Sequence, residues 1–246
     1  MANLTKHDLD VLEKIKDPEA GPSNPLLIDD SLPRDPHVTD ASSYQALTQR
    51  ERAIILGMQD ISSLDQYLSS VRLLDALIEE HPNYASARNN RAQALRRIYG
   101  DSMLVTLNLT TRASDSTLIS ISSTVLSDLD TAIKLLSPST PWAALSPQAA
   151  KTLANALTQR GALYHLSAKQ LSSSPDANLR IDEKRREAKW KTINFEECAS
   201  RDFMLGGRYG NEIAKALAVS ANPTAKLCGD MVRQAMRREI AGVGGN

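Results

Sequence analysis

Pro82-Asn83-Tyr84-Ala85-Ser86-Ala87-Arg88-Asn89-Asn90-Arg91-Ala92-Gln93-Ala94 is the stretch that decides how the rest of this chain is read. Pro82 has no N–H to donate and disfavours helix at the residue before it, so a helix must end there. The alanine-rich run that follows starts a new helix, with small residues at the spacing where a neighbouring helix comes close. A break followed at once by a small-residue helix reads as the junction between two helix-turn-helix repeats. That junction points to a binding scaffold rather than a catalyst.

Outward from the junction, this is the grammar of the tetratricopeptide repeat, whose period is about 34 residues. The expected fold is all-α: a tetratricopeptide-repeat solenoid of three helix-turn-helix repeats, near 42–84, 85–137 and 146–210, closed by capping helices at 211–241. In repeat one, Ala46, Ala53, Leu56 and Gly57 mark the opening helix, with Gly57 at the close-approach position, and Leu68, Val71, Leu74 and Leu77 mark the second. Ala92 and Gly161 take the same small position in the next repeats, and Gly100-Asp101 ends the first helix of repeat two. Leu153, Leu157 and Tyr164, then Phe195, Cys198, Ala199 and Phe203, supply the core of repeat three.

In repeats two and three the second helix arrives late, which defines insertions at 102–124 and 168–192. The alternation of Met103, Val105, Leu107 and Leu109 is a weak strand signal, but loop followed by helix is the expectation, with helical spacing from Leu118 through Val125 to Leu136. A helix running from Asn178 to Arg208 would be about 46 Å long. Both insertions fall at the same turn of their repeats, so they are expected to be neighbours, with Met103, Val105, Leu107, Leu118 and Ile121 facing Leu179 and Trp190. At the amino end, residues 1–41 read as a short amphipathic helix carrying Leu9, Leu12 and Ile15, followed by a proline-rich linker unable to order itself. Residues 242–246 read as a disordered tail.

Composition narrows the function classes. Lys plus Arg equals Asp plus Glu at 29 each, which removes the bulk electrostatic case for nucleic acid or an anionic membrane. No apolar run approaches the length of a membrane span and the first ten residues are polar, so the expected compartment is the cytoplasm, with the nucleus open to it. Cys198 and Cys228 then read as buried thiols rather than a bridge. His7, His37, His81 and His165 are scattered without metal-ligand spacing, and no serine sits in a nucleophile-elbow sequence. Gly206-Gly207-Arg208-Tyr209-Gly210 lacks the strand a phosphate loop needs and reads as a helix end and turn. The expectation is a chain that is not an enzyme and takes neither metal nor cofactor.

Asn89-Asn90-Arg91-Ala92-Gln93-Ala94, Thr158-Gln159-Arg160-Gly161, Arg201-Asp202-Phe203 and Asn222-Pro223-Thr224-Ala225-Lys226-Leu227-Cys228 occur in the order found in the tetratricopeptide repeat protein 36 family, which this chain resembles. Val11-Leu12-Glu13-Lys14-Ile15 before Asp17-Pro18 is similar too, and the two insertions suggest an elongated fungal or other lower-eukaryotic member. The resemblance implies a cytosolic adaptor that binds the seventy-kilodalton heat-shock chaperone. In animals it implies a co-chaperone-like role in tyrosine breakdown, protecting 4-hydroxyphenylpyruvate dioxygenase from degradation. A different class of reading is a structural subunit docked permanently in a larger assembly through its insertions.

First helices of such repeats face the concave groove, so Asn89, Asn90, Gln93, Arg96 and Arg97, with Asn155, Thr158 and Gln159, are the expected peptide-binding residues. A two-carboxylate clamp for chaperone tails is not expected. Asn90 alone matches its pattern, while Ile54, Met58, Asn155 and Gln159 stand where the other cations and amides belong. The basic cluster Arg88, Arg91, Arg96 and Arg97 reads first as a solvated helix face.

Overall fold

The computed structural model describes residues 28–59, 63–106, 114–140, 143–174, 176–222 and positions 231, 233, 234, 236 and 237. The expected amino-terminal helix, the carboxy-terminal tail and Cys228 lie outside them. Among the described residues the fold is helical, with little sheet. The helices are α1 (Ala41–Gly57), α2 (Leu64–Glu80), α3 (Ala85–Tyr99), α4 (Asp115–Leu136), α5 (Pro147–Ser173), α6 (Thr192–Arg208) and α7 (Glu212–Ala221). Two short strands, β1 (Val105–Thr106) and β2 (Asn178–Leu179), complete it.

Helix starts follow local chemistry. The side chains of Asp40, Ser63, Ser114, Ser146 and Asn211 each accept a backbone N–H from three residues on, satisfying a donor that the first turn leaves free. Pro147, whose missing N–H costs nothing at a first helical position, follows the Ser146 cap. Each helix packs on its neighbours in sequence; α5 also touches α3 and α7. Leu74, Leu77, Ala92, Leu126, Leu129, Leu163, Phe195 and Phe203 are sealed in the resulting core. Burying each large side chain stabilises the fold by about 1.5–3 kcal/mol.

The small positions behave unequally. Gly161 lies against Phe203, whose ring would be 3.1 Å from an added Cβ, and Ala92 is fully buried. Gly57 does not serve a close approach: an added Cβ there meets nothing within 4 Å, and Leu56 beside it is 48% exposed. No described helix packs on that side of α1. Gly207 makes the α6–α7 corner possible, since a Cβ there would come within 2.8 Å of the Lys215 backbone, and Gly210 turns the corner with φ +91°.

Helix does not run from Asn178; α6 begins at Thr192. The intervening backbone is drawn elsewhere. Asn178 and Leu179 pair antiparallel with Thr106 and Val105, and the Arg180 N–H donates to the Leu104 carbonyl at 2.8 Å. Glu187, fully buried, is held by Tyr164 and by Arg185 and Arg186. The stretch 101–106 is likewise a 3-10 turn and a strand rather than a plain loop. The two stretches expected to be insertions are thus hydrogen-bonded to one another. Met103, Leu104, Val105 and Leu118 are buried and Ile121 half-buried, whereas Leu107 lies outside the described residues. Trp190, the other expected contact, belongs to an aromatic cluster at the edge of the same core. It packs edge to face on Tyr164 and Phe195, with centroids 5.2 and 5.1 Å away.

The described part of the proline-rich linker is ordered, which its composition argued against. Residues 28–40 lie along the helical body as a strap. The Asp29 N–H donates to the Leu145 carbonyl, the Ser146 hydroxyl to the Arg34 carbonyl, and His37 Nε2 is 3.0 Å from the Leu135 carbonyl. Contacts made by the body supply the order that the linker's own side chains do not.

Candidate functional site

Polar side chains cross between the helices at two equivalent places. Arg91 of α3 donates through Nε and Nη2 to both oxygens of Asp128 on α4, at 2.7 Å each, and through Nη1 to Asp75 on α2. Arg160 of α5 repeats the pattern one hairpin later, bidentate to Asp202 on α6 and also bonded to Asp130 on α4, each at 2.8 Å. Each arginine therefore ties its own hairpin to the preceding one. Arg88, expected on a solvated face, also reaches Asp128. The basic cluster is largely neutralised from within.

The eight residues expected to bind peptide divide in the same manner. Gln159 donates through Nε2 to both the carbonyl and side-chain oxygen of Asn89, which is buried, and accepts from Arg96. Arg96 is also ion-paired with Asp101 at 2.8 Å. Asn155 accepts from Asn211, and the Thr158 hydroxyl donates to the Ala154 carbonyl. Asn90 donates to Glu51 at 2.8 Å. Gln93 and Arg97 face solvent.

Glu51 of α1 is a hub that sequence reasoning missed. It accepts from Tyr84, Ser86 and Asn90, with the Tyr84 hydroxyl at 2.7 Å, and among the described residues no cation is bonded to it. Burial pushes its carboxyl above the ordinary range, and nearby Asp35 of the strap pushes it further. Asp35 is raised as well, again by burial. The Tyr84 phenol is pushed up by burial and then by Glu51. The available signal was a charged residue where α1 turns inward, between Leu47 and Ile54 on the buried face.

Depressions open on the described helices, one of them, about 150 Å³, beside Glu51, Asp35 and Tyr84, and two more elsewhere. The larger of these two, about 600 Å³, lies between the first turns of α5 and the α6–α7 corner, lined by Pro147, Ala150, Ala154, Tyr209 and Ile213 with Ile28 at its rim. A smaller one of about 190 Å³ lies where α1, α2 and α3 meet. Ile55, Met58 and Ala94 line its apolar part, and Gln59, Asn90 and Gln93 surround it with amides. Arg97 closes one side, its guanidinium 5.7 Å from the centre of the Tyr67 ring.

Among the described residues no group of three or more His, Cys, Asp or Glu is placed to hold a metal, and no helix is long and apolar enough to cross a membrane. Cys198 is half-buried rather than buried, its thiol raised by burial. Fold and site together define a helical-hairpin protein whose hairpins are cross-tied by half-buried arginines on buried aspartates. The chain is 40% identical over 253 residues to the L-tyrosine degradation gene cluster protein hmgX of Aspergillus fumigatus, a match covering 98% of this chain and 95% of that one. It belongs to the family of that protein. No protein-family model and no solved structure matches it.

Proposed function

We propose that this protein is a non-catalytic protein-interaction adaptor of tyrosine degradation, built as a tetratricopeptide-repeat solenoid and acting on the stability of a client enzyme. The end-to-end likeness to a protein named for the tyrosine degradation gene cluster carries the reading. The duplicated arrangement around Arg91 and Arg160 supports the repeat architecture, because the same side-chain geometry recurs one hairpin later. The compartment is the cytoplasm, with the nucleus open to it. The partners are the seventy-kilodalton chaperone and a metabolic enzyme, with 4-hydroxyphenylpyruvate dioxygenase the first candidate from the family resemblance.

Affinity purification of the tagged chain from its native host, grown with and without tyrosine, tests this. Co-purification of a tyrosine-pathway enzyme together with the chaperone is the expected result; recovery of neither, with the bait soluble and folded, refutes it. One observation favours a second reading. Met204 on α6 and Ile213 and Val219 on α7 are 60%, 67% and 67% exposed, an apolar set suited to permanent docking in an assembly. A chain that is insoluble unless expressed with a partner would favour that subunit role; a soluble monomer favours the adaptor.

A further inference from the structure

On the adaptor reading just given, we infer that the smaller depression, where α1, α2 and α3 meet, binds an acidic side chain in an extended segment of a partner protein, with Arg97 as the residue that selects for it. Four observations converge there. Arg97 is exposed and has no anionic partner among the described residues, whereas its neighbour Arg96 is neutralised by Asp101 and bonded to Gln159. The Tyr67 ring holds the Arg97 guanidinium in place without removing its charge. Gln59 and Gln93 are exposed beside it, and the Asn90 amide, which gives one of its two N–H groups to Glu51, lines the same depression. Ile55, Met58 and Ala94 provide an apolar surface between these groups.

The chemistry reads off directly. Side-chain amides both donate and accept, so they pair with the peptide groups of an extended backbone rather than with a charge. A guanidinium offers parallel N–H donors to one carboxylate. The apolar part accepts an aliphatic side chain close to that carboxylate. An extended segment with a glutamate beside small aliphatic residues satisfies all three. About 190 Å³ limits the occupant to one or two side chains, so this is a selecting contact within a larger interface.

The test uses the full chain and three fluorescein-labelled peptides, read by fluorescence anisotropy at about 50 mM and about 300 mM salt. The first is Gly-Ala-Leu-Glu-Ala-Leu-Gly with an amidated end, the second replaces its Glu by Gln, and the third carries the Gln with a free terminal carboxylate. The expected result is binding of the Glu peptide about three- to fivefold tighter than the Gln peptide at low salt, the ratio shrinking at high salt. Arg97→Glu should invert or abolish that ratio, and Tyr67→Leu should reduce it, with the melting temperature of the Arg97→Glu chain unchanged. Equal binding of the Glu and Gln peptides, or a ratio indifferent to Arg97→Glu, overturns the inference. So does preference for the free-carboxylate peptide, which would make the site a chain-end receptor. Failure of all three peptides overturns it too. The adaptor reading is then decided separately: partner recovery by both wild-type and Arg97→Glu baits keeps the adaptor and removes this pocket, whereas recovery by neither removes the adaptor itself.

Discussion

Replacing Arg160 by Met should be among the most damaging single changes in the described fold. Asp202 retains only 3% side-chain exposure, and Arg160 supplies both of its guanidinium bonds at 2.8 Å. Met fills much of the aliphatic volume, so the loss is chiefly that of the counter-charge. Removing one partner of a buried pair costs about 3–5 kcal/mol because the other charge is left unsolvated. Two features of the site place the expected cost near the lower end, about 3 kcal/mol. Burial has already raised the Asp202 carboxyl, so it can escape the penalty by taking up a proton. Asp130, the third member, keeps its 2.6 Å contact with Arg185. For a chain of this size that loss lowers the melting temperature by about 6–12 °C. Urea unfolding followed by tryptophan fluorescence is a suitable assay, since Trp190 packs on Tyr164 one helical turn from Arg160. Combining Arg160→Met with Asp202→Leu should recover about half of the cost, because no orphaned carboxylate remains. A single-variant cost under about 1 kcal/mol, or simple additivity in the double variant, would refute the buried-clamp reasoning.

Glu51→Gln should flatten part of the pH dependence of stability. The folded carboxyl is raised above its unfolded value, so its favourable contribution is present below the ordinary carboxylate range and lost as pH rises through the raised folded value. Urea midpoints for wild type and variant should therefore converge at low pH and separate, variant higher, toward neutrality; parallel profiles would show that Glu51 does not titrate differently in the fold. Gly207→Ala should cost about 1–3 kcal/mol by pushing α7 away at Lys215, against near-neutrality at Gly57, where an added Cβ meets nothing; equal thermal shifts would contradict the corner geometry. If the chaperone binds, removing its terminal acidic motif should leave binding intact, because Met58 and Gln159 stand where a carboxylate clamp needs other groups. A pull-down that fails with the truncated chaperone would show otherwise.

Helix positions were largely legible because they rest on local rules: Pro82 ends α2, Ser146-Pro147 starts α5, and Gly100 ends α3. The long helix expected from Asn178 was not, because that stretch is governed by Arg180, Glu187 and their distant partners rather than by periodicity. The polar residues were harder. Asn89, Arg96 and Gln159 look like groove residues in sequence, and only the packing of α3 on α5 reveals that they satisfy each other. Asp128 and Asp202 give no sign in a single sequence that arginines one helix away have drawn them into the core. Gln93 and Arg97 are the groove candidates left facing solvent.

Arg180 acts as a thermodynamic coupler. Its N–H meets Leu104, its guanidinium lies 2.8 Å from Asp115, and its carbonyl accepts the Ser122 hydroxyl, all within or beside the first insertion. Stacked hairpins ordinarily open from their ends, each stabilised only by its nearest neighbour. Here a residue between α5 and α6 is stitched both to the segment between α3 and α4, at Leu104, and to α4 itself, at Asp115 and Ser122, so neither hairpin can open without breaking the other's bonds. Amide hydrogens in α3 through α6 should accordingly exchange as one cooperative unit, while α1 and α2 open at lower free energy.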